Sequence, residues 1–134
     1  MRFMIAAVAL LMLSGQAQAG TNTSPLGPWV TASGNLVVDI EPCGPMLCGK
    51  VAEVLANRSM EDSAKTIAAK ASPGMTILSD LAPAGENAWQ GHIFNRENGK
   101  TYDCLVSVAG PRELNVRPYV FVSMIGQTQI WRRP

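Results

Sequence analysis

The sequence has few of the side chains that enzymes commonly use for catalysis. It contains one histidine, His92, and none of its serines lies in the sharp strand-to-helix turn that presents a nucleophile in hydrolases. Its carboxylates are scattered rather than paired, and no glycine-rich phosphate loop precedes a helical segment. We therefore expect no catalytic residue, no cofactor and no metal. An enzyme that uses His92 with Asp103 or Tyr102 is kept as the least favoured hypothesis, after the two non-catalytic ones.

The chain also lacks a surplus of charge of either sign. Its 11 Lys and Arg side chains face 10 Asp and Glu. Loss of Arg2 with the leader described next leaves 10 of each, because 11 − 1 = 10. Nucleic acids and anionic membranes select basic patches. The balanced composition therefore argues against both as partners.

Long apolar runs are missing except at the N-terminus. Met1-Arg2 gives a positive start, the run FMIAAVALLMLSG follows, and AQA at 17–19 has the small-x-small pattern of a cleavage site. The apolar core has about 11 residues, whereas a membrane span needs roughly 20. The pattern predicts a secretory signal peptide over residues 1–19, cleaved near Ala19, and a periplasmic or secreted protein without a membrane span.

The rest of the chain has the length of one domain. Removal of the leader leaves 134 − 19 = 115 residues, enough for a single hydrophobic core. Residues 20–28, GTNTSPLGP, show no apolar periodicity and are expected to form a flexible leader. The folded domain is then predicted to span residues 29–134.

Cysteine is scarce, and two of the three cysteines lie close together in IEPCGPMLCGKV. Export favours a disulfide between Cys43 and Cys48, and opposed positions of an antiparallel ribbon lie within disulfide reach. Such a bond would contribute roughly 2 kcal/mol to stability. Two reduced cysteines, or a metal or redox site that adds Cys104 or His92, are the alternatives.

The third cysteine lies in an apolar strand pattern. Cys104 alternates in register with Tyr102, Val106 and Val108. Free cysteine is among the residues most often buried. We therefore predict a buried structural thiol rather than a reactive one.

Alternating apolar and polar residues predict strands through most of the chain. Leu36, Val38 and Ile40 share one strand face, and turn signals such as Gly34-Asn35 and Asn98-Gly99 recur about every 8 to 12 residues. The predicted strands are 29–33, 36–41, 49–55, 75–78, 89–94, 100–108, 113–125 and 127–133. This spacing indicates an all-β fold, a single antiparallel barrel of roughly eight strands or a sandwich.

One segment, residues 59–72, has the pattern of a short helix instead. Ser59 is a suitable N-cap, Glu61 and Asp62 fall in the first turn, and Pro73-Gly74 ends the run. An apolar stripe recurs at helical spacing: Met60, Ala64, Ile67, Ala68 and Ala71. We expect this helix to lie on the flank or at the mouth of the barrel.

Aromatic residues are few, but the tryptophans are informative. A barrel of eight strands is just wide enough to be filled by side chains or to hold one small ligand. Trp29 near the first strand and Arg132 or Arg133 at the end of the last suit a closed barrel end, where a guanidinium stacks on an indole. We predict Trp29 and Arg132 as the barrel-closing pair, with ordinary core tryptophans and solvated arginines as the alternative.

Several motifs along the chain resemble those of a known family. Gly27-x-Trp29 with an arginine on the last strand is similar to the lipocalin pattern, and WVT, CGPMLCGKV, NGKTY, LNVRPY and GQTQIWRR follow in order. Together these resemble DUF2147, a family of exported bacterial proteins without an assigned activity, over nearly all of residues 27–133. The resemblance implies a small lipocalin-like β-barrel with a ligand cavity.

The leading functional hypothesis is a periplasmic barrel that binds a small apolar or amphipathic molecule. Alternation predicts these wall residues: Trp29, Leu36, Val38, Ile40, Tyr102, Val106, Val120 and Trp131. The second hypothesis is a non-catalytic envelope module with a filled barrel, which contacts another protein through its outer face or the 59–72 helix. A void of a few hundred Å³ in the barrel would favour the first hypothesis over the second.

Overall fold

The structure, a computed structural model, describes residues 24–60, 62–121, 124–125 and 127–134, and their side chains except those of 120, 121, 124 and 125. Within these residues the chain forms nine strands and no helix. The strands are β1 (Gly27–Val30), β2 (Leu36–Cys43), β3 (Met46–Val54), β4 (Thr76–Pro83), β5 (Ala88–Asn95), β6 (Lys100–Gly110), β7 (Glu113–Phe121), β8 (Met124–Ile125) and β9 (Gln129–Arg132).

The sheet closes on itself as an eight-stranded antiparallel barrel. Each strand from β1 to β7 pairs with the next, β7 pairs with β9, and β9 returns to β1 through Val30 and Arg132. The two-residue β8 pairs with the C-terminal end of β7, next to the part of β7 that pairs with β9. β8 and β9 together therefore occupy the eighth position, and the predicted all-β barrel is confirmed.

Strand alternation places the predicted faces correctly in β2. Leu36, Val38 and Ile40 are buried, whereas Asp39 and Glu41 are only half-buried. Because successive side chains of a strand point to opposite faces, the apolar set fills the interior. The buried core continues around the barrel with Trp29, Val51, Leu78, Leu81, Cys104, Val106, Leu114, Val116 and Trp131.

A disulfide closes the β2–β3 hairpin, as predicted. Cys43 and Cys48 are bonded, with their Cα atoms 5.7 Å apart. They are not directly opposed, because Cys43 pairs with Met46 across a two-residue turn. Gly44 opens that turn with a φ of 66°, a conformation that glycine adopts without steric cost.

The predicted helix over residues 59–72 is absent from the described part of that segment, residues 59–60 and 62–72. Its backbone groups bond across the segment instead: Ser59 N–H donates to Lys65 C=O at 2.8 Å, and Ile67 N–H donates to Asn57 C=O at 3.0 Å. Ser59 Oγ accepts from Asp62 N–H at 3.3 Å, so the capping bond forms but no helix follows it. The stripe of small alanines buries too little apolar surface to favour a helix over these contacts. No helix that could span a membrane occurs in the described ranges.

The barrel has two different ends. The turns that follow β2, β4 and β6 lie at the same end as the start of β1 and the end of β9. The turns that follow β1 and β5, and the long connection 55–75 between β3 and β4, meet at the other. We call the first the sealed end and the second the open end, for the reasons given next.

Candidate functional site

Trp29 and Arg133 close the sealed end. The Trp29 side chain is fully buried, and its Nε1 donates to the backbone oxygen of Pro25 at 2.7 Å. The guanidinium carbon of Arg133 lies 3.7 Å from the centroid of the Trp29 ring. The indole fills the barrel interior while the cation covers its face.

Three backbone carbonyls hold the Arg133 guanidinium in place. Nη1 donates to Pro28 C=O at 2.9 Å, and Nη2 donates to Leu26 C=O at 2.9 Å and to Ser24 C=O at 3.3 Å. Burial lowers the pKa of Arg133 from its ordinary value, although Asp39 acts in the opposite direction. Residues 24–28, expected in the flexible leader, are thus hydrogen-bonded, and β1 begins at Gly27 rather than at residue 29.

The structure places Arg133, and not Arg132, on Trp29. Within β9 side chains alternate, so that Trp131 points inward and Arg132 points outward. Arg132 is exposed and pairs with Glu113 on the neighbouring strand at 3.0 Å. Arg133 follows the last strand residue, so its side chain is free to fold back over the barrel end.

A cavity of about 330 Å³ occupies the open end. Apart from Asn35, its buried floor is apolar and includes Leu36, Ile77, Ile93 and Trp131. Polar and charged residues surround the mouth above this floor. The remaining lining residues are Thr31, Ser33, Asn35, Arg58, Met60, Ile67, Phe94, Asn95, Arg96, Glu97, Asn98, Tyr102, Pro118, Tyr119 and Gln129.

Residues 56–60 and 62–71, which we call the strap, border this mouth and are attached to the β1–β2 turn. Asn35 is buried and bonds twice to Arg58: its Nδ2 donates to Arg58 C=O at 2.8 Å, and its Oδ1 accepts from Arg58 N–H at 3.0 Å. The backbone oxygen of Asn35 also accepts from Leu55 N–H and Ala56 N–H. Asn35 therefore fixes the start of the strap as well as forming the predicted turn.

The β5–β6 turn holds the strap from the other side. Arg96 Nη1 donates to Asn57 Oδ1 at 2.8 Å and to Ala69 C=O at 3.2 Å. Glu97 accepts from the hydroxyl of Ser59 and, at 3.1 Å, from the backbone N–H of Met60. Burial lowers the pKa of Arg96, and the neighbouring carboxylate of Glu97 opposes that shift.

The cavity includes only some of the predicted wall residues. Leu36, Tyr102 and Trp131 line it. Four others, Trp29, Val38, Ile40 and Val106, are buried in the packed interior and do not line it. The side chain of Val120 lies outside the described part of the structure.

The sequence did not predict most of the residues that line the cavity near its mouth. Ile77 and Ile93 lie where β4 begins and β5 ends, and alternation alone did not mark those positions as cavity-lining. Ile67 belongs to the strap, which the sequence assigned to a helix. Arg58 and Arg96 carried no local signal, because a surface arginine has the same local pattern whether or not it borders a cavity.

His92 lies on the outer wall, away from the cavity. Its Nδ1 is 3.3 Å from Asp80 Oδ2, and its Nε2 is 3.3 Å from Asp103 Oδ1. Asp80 adopts a φ of 54° in an irregular part of the β4–β5 pairing. Tyr102, the other residue considered with His92, instead lines the cavity. The structure therefore brings His92 to Asp103 but separates it from Tyr102.

Cys104 is buried in the barrel interior. Its side chain is fully enclosed in the core between Tyr102 and Val106 along β6. Burial raises the pKa of the Cys104 thiol to about 12, with a further contribution from Asp103. A thiol in this state is protonated near neutral pH, which disfavours reaction as a nucleophile.

One group of potential metal ligands lies at the β2–β3 hairpin, where Glu41 is close to the two disulfide-bonded cysteines. Potential ligand atoms of Glu41, Cys43 and Cys48 lie within 4.8 Å of one another. Both cysteines are joined in the disulfide, so neither supplies the thiolate that a zinc site requires. The cluster does not combine three metal ligands in this oxidised form.

Residues 27–133 match the family described as "Uncharacterized protein conserved in bacteria (DUF2147)". The chain belongs to this family. The DUF2147 match runs from the first residue of β1 to the arginine that stacks on Trp29, so it covers the whole barrel. No curated protein and no solved structure matches the chain. For a bacterial DUF2147 protein, a disulfide is in keeping with an extracytoplasmic location.

Proposed function

We propose that this protein binds a small apolar or amphipathic molecule in the open-end cavity. The observation that carries the proposal is the cavity itself, about 330 Å³ in volume, inside a closed barrel. Ligand sites in proteins range from about 300 to 1,000 Å³ and combine apolar walls with a few placed polar groups. The apolar floor and polar mouth described above have this character.

The filled-barrel hypothesis is less well supported. It requires side chains to occupy the interior from end to end, and they do so only toward the sealed end, around Trp29 and Val38. Toward the open end, Trp131 and Ile93 border the cavity. A void of about 330 Å³ supports a binding barrel over a purely structural one.

Export to the periplasm is part of the proposal. The leader 1–19 has the sequence of a secretory signal peptide and lies outside the described residues. The Cys43–Cys48 bond supports an oxidising destination. A lipocalin-like role, in which a small barrel carries its ligand in the envelope, combines these two points.

Native mass spectrometry of the protein purified from its own host tests the proposal. We expect a species heavier than the bare chain by the mass of a small molecule. Ile67→Trp is designed to fill the cavity from the strap, because Ile67 lines it. Ala68→Trp is the matched control, since Ala68 is exposed and does not line it.

The expected result is that the additional mass is lost with Ile67→Trp and retained with Ala68→Trp. Equal unfolding midpoints for the two variants would show that the loss does not come from unfolding. Protein that is ligand-free from every preparation, or additional mass that persists in Ile67→Trp, would overturn the proposal.

A further inference from the structure

The described part of the open-end cavity lining has an excess of positive charge. Among its lining residues, two arginines, Arg58 and Arg96, stand against one acid, Glu97, so the sum is 2 − 1 = +1. All three surround the mouth, while the floor is apolar. A ligand that complements this arrangement carries its charge at one end.

Glu97 is already engaged with the strap. One of its carboxylate oxygens accepts from the Ser59 hydroxyl, and the other accepts from Met60 N–H. Both carboxylate oxygens of Glu97 are thus occupied by donors from the strap. Glu97 is therefore a structural group of the mouth rather than a counter-ion directed at a cationic ligand.

Arg96 is fixed by neutral acceptors. Its two recorded hydrogen bonds go to the side-chain oxygen of Asn57 and the backbone oxygen of Ala69. These bonds orient the guanidinium without cancelling its charge. Burial disfavours that charge, as the lowered pKa of Arg96 shows, and a bound anion would favour it.

Arg58 contributes a guanidinium available for binding. Its backbone is held by Asn35, whereas none of the described groups forms a hydrogen bond or ion pair with its guanidinium. The side chain is exposed at the mouth. Guanidinium groups bind carboxylates through paired, charge-assisted hydrogen bonds.

We infer that the cavity takes small amphipathic anions, with an alkyl tail on the floor near Trp131 and a carboxylate at Arg58 and Arg96. This rests on the proposed function and specifies its ligand class. A volume of about 330 Å³ accommodates roughly ten non-hydrogen atoms, if each group occupies about as much space as a water molecule. An alkyl carboxylate of the size of octanoate matches that volume.

Calorimetric titration with three probes of equal tail length tests this inference. The probes are octanoate, octan-1-ol and octylammonium, at pH 7 and low salt, with the purified protein. We expect octanoate to bind at least about tenfold more tightly than the other two, because only it complements the mouth. Added salt should weaken octanoate and leave octan-1-ol unchanged.

Substitutions identify the group responsible. Arg58→Gln should weaken octanoate about tenfold and leave octan-1-ol unchanged, while Arg58→Lys retains the charge, loses the paired bonds and should give an intermediate affinity. Arg112→Gln removes the same charge from the turn at the sealed end and serves as the matched control, with no expected effect. Equal unfolding midpoints should accompany all three variants, since the Arg58 guanidinium makes no recorded contact within the described residues.

The outcomes separate this inference from the proposed function. If the three probes bind equally, the anion preference is refuted and the binding barrel stands. If octanoate is preferred but Arg58→Gln leaves its binding unchanged, the placement of the carboxylate at Arg58 is refuted. If no probe binds and the protein from its host carries no ligand, both are refuted.

Discussion

The two ends of the barrel contain the same kinds of residue and use them differently. At the sealed end, the guanidinium of Arg133 lies between the Trp29 ring and three backbone carbonyls. At the open end, Trp131 borders a void, and the Arg58 guanidinium has no partner among the described residues. The arginine closes the barrel at the end where backbone acceptors hold it on the indole. Without them, a polar mouth remains.

The largest expected effect on stability comes from replacing the tryptophan at each end of the barrel by alanine. Trp29→Ala should lower the free energy of unfolding by about 4 kcal/mol, because it leaves a cavity in packed surroundings and an unpaired Pro25 carbonyl. Trp131→Ala should lower it by about 3 kcal/mol, because this ring already faces a void. Urea unfolding measures both. A larger loss for Trp131→Ala would reverse the assignment of the packed and hollow ends.

The second test asks whether the cavity reaches as far down the barrel as Cys104, by measuring how this thiol titrates. The pKa of Cys104 is raised from 9.0 to about 12 by burial. Above pH 9 the unfolded chain therefore loses this proton while the folded chain retains it. Stability should fall as pH rises from 9 towards 12, with a slope that approaches about 1.4 kcal/mol per pH unit from this group.

Cys104→Ala should remove this component, so the difference between the two stability–pH curves isolates it from other titrating groups. The measurement is urea unfolding at a series of pH values from 7 to about 11. Parallel curves would mean that the thiol titrates normally in the folded state. Water would then reach Cys104, and the hollow region would extend beyond Tyr102 towards the sealed end.

The smallest expected effect compares two adjacent arginines. Arg133→Gln should cost about 1 kcal/mol, since it removes the cation over Trp29 and bonds to three carbonyls. Arg132→Gln removes only an exposed pair with Glu113 and should cost about 0.5 kcal/mol or less. Thermal unfolding of both variants is the measurement. Equal costs would argue that Arg133 does not close the barrel.

Local sequence pattern predicts the barrel walls because the determining forces are local. In β2, burial of Leu36, Val38 and Ile40 follows directly from alternation. Gly99 has the positive φ, 71°, that its position in the Asn98-Gly99 turn required. Side-chain period and turn chemistry act within a few residues, so they can be read without the fold.

The strap shows where such reasoning stops. A cap and a few alanines favour a helix by about 1 kcal/mol or less for each signal. The bonds that fix the strap join residues far apart: Ser59 to Glu97 across 38 positions, and Asn57 to Arg96 across 39. No local pattern contains these partners, and together they outweigh the helical preference.

The cavity lining is only partly predictable from the sequence. Alternation places Leu36, Tyr102 and Trp131 on the inner face, and they line the cavity. The same rule places Val38 and Val106 on that face, and they are packed solid. The alternation of side chains along a strand shows which of them point into the barrel. It does not show how far from the open end each one lies, because that depends on how all eight strands are staggered.

The contact between Arg133 and residues 24–28 also governs when the fold can form. The carbonyls that receive Arg133 precede it by 105 to 109 positions. Until β9 is in place, β1 has an open edge, and the cylinder cannot be completed. Closure of the barrel must therefore wait for β9 and Arg133, so this segment commits the molecule to its shape.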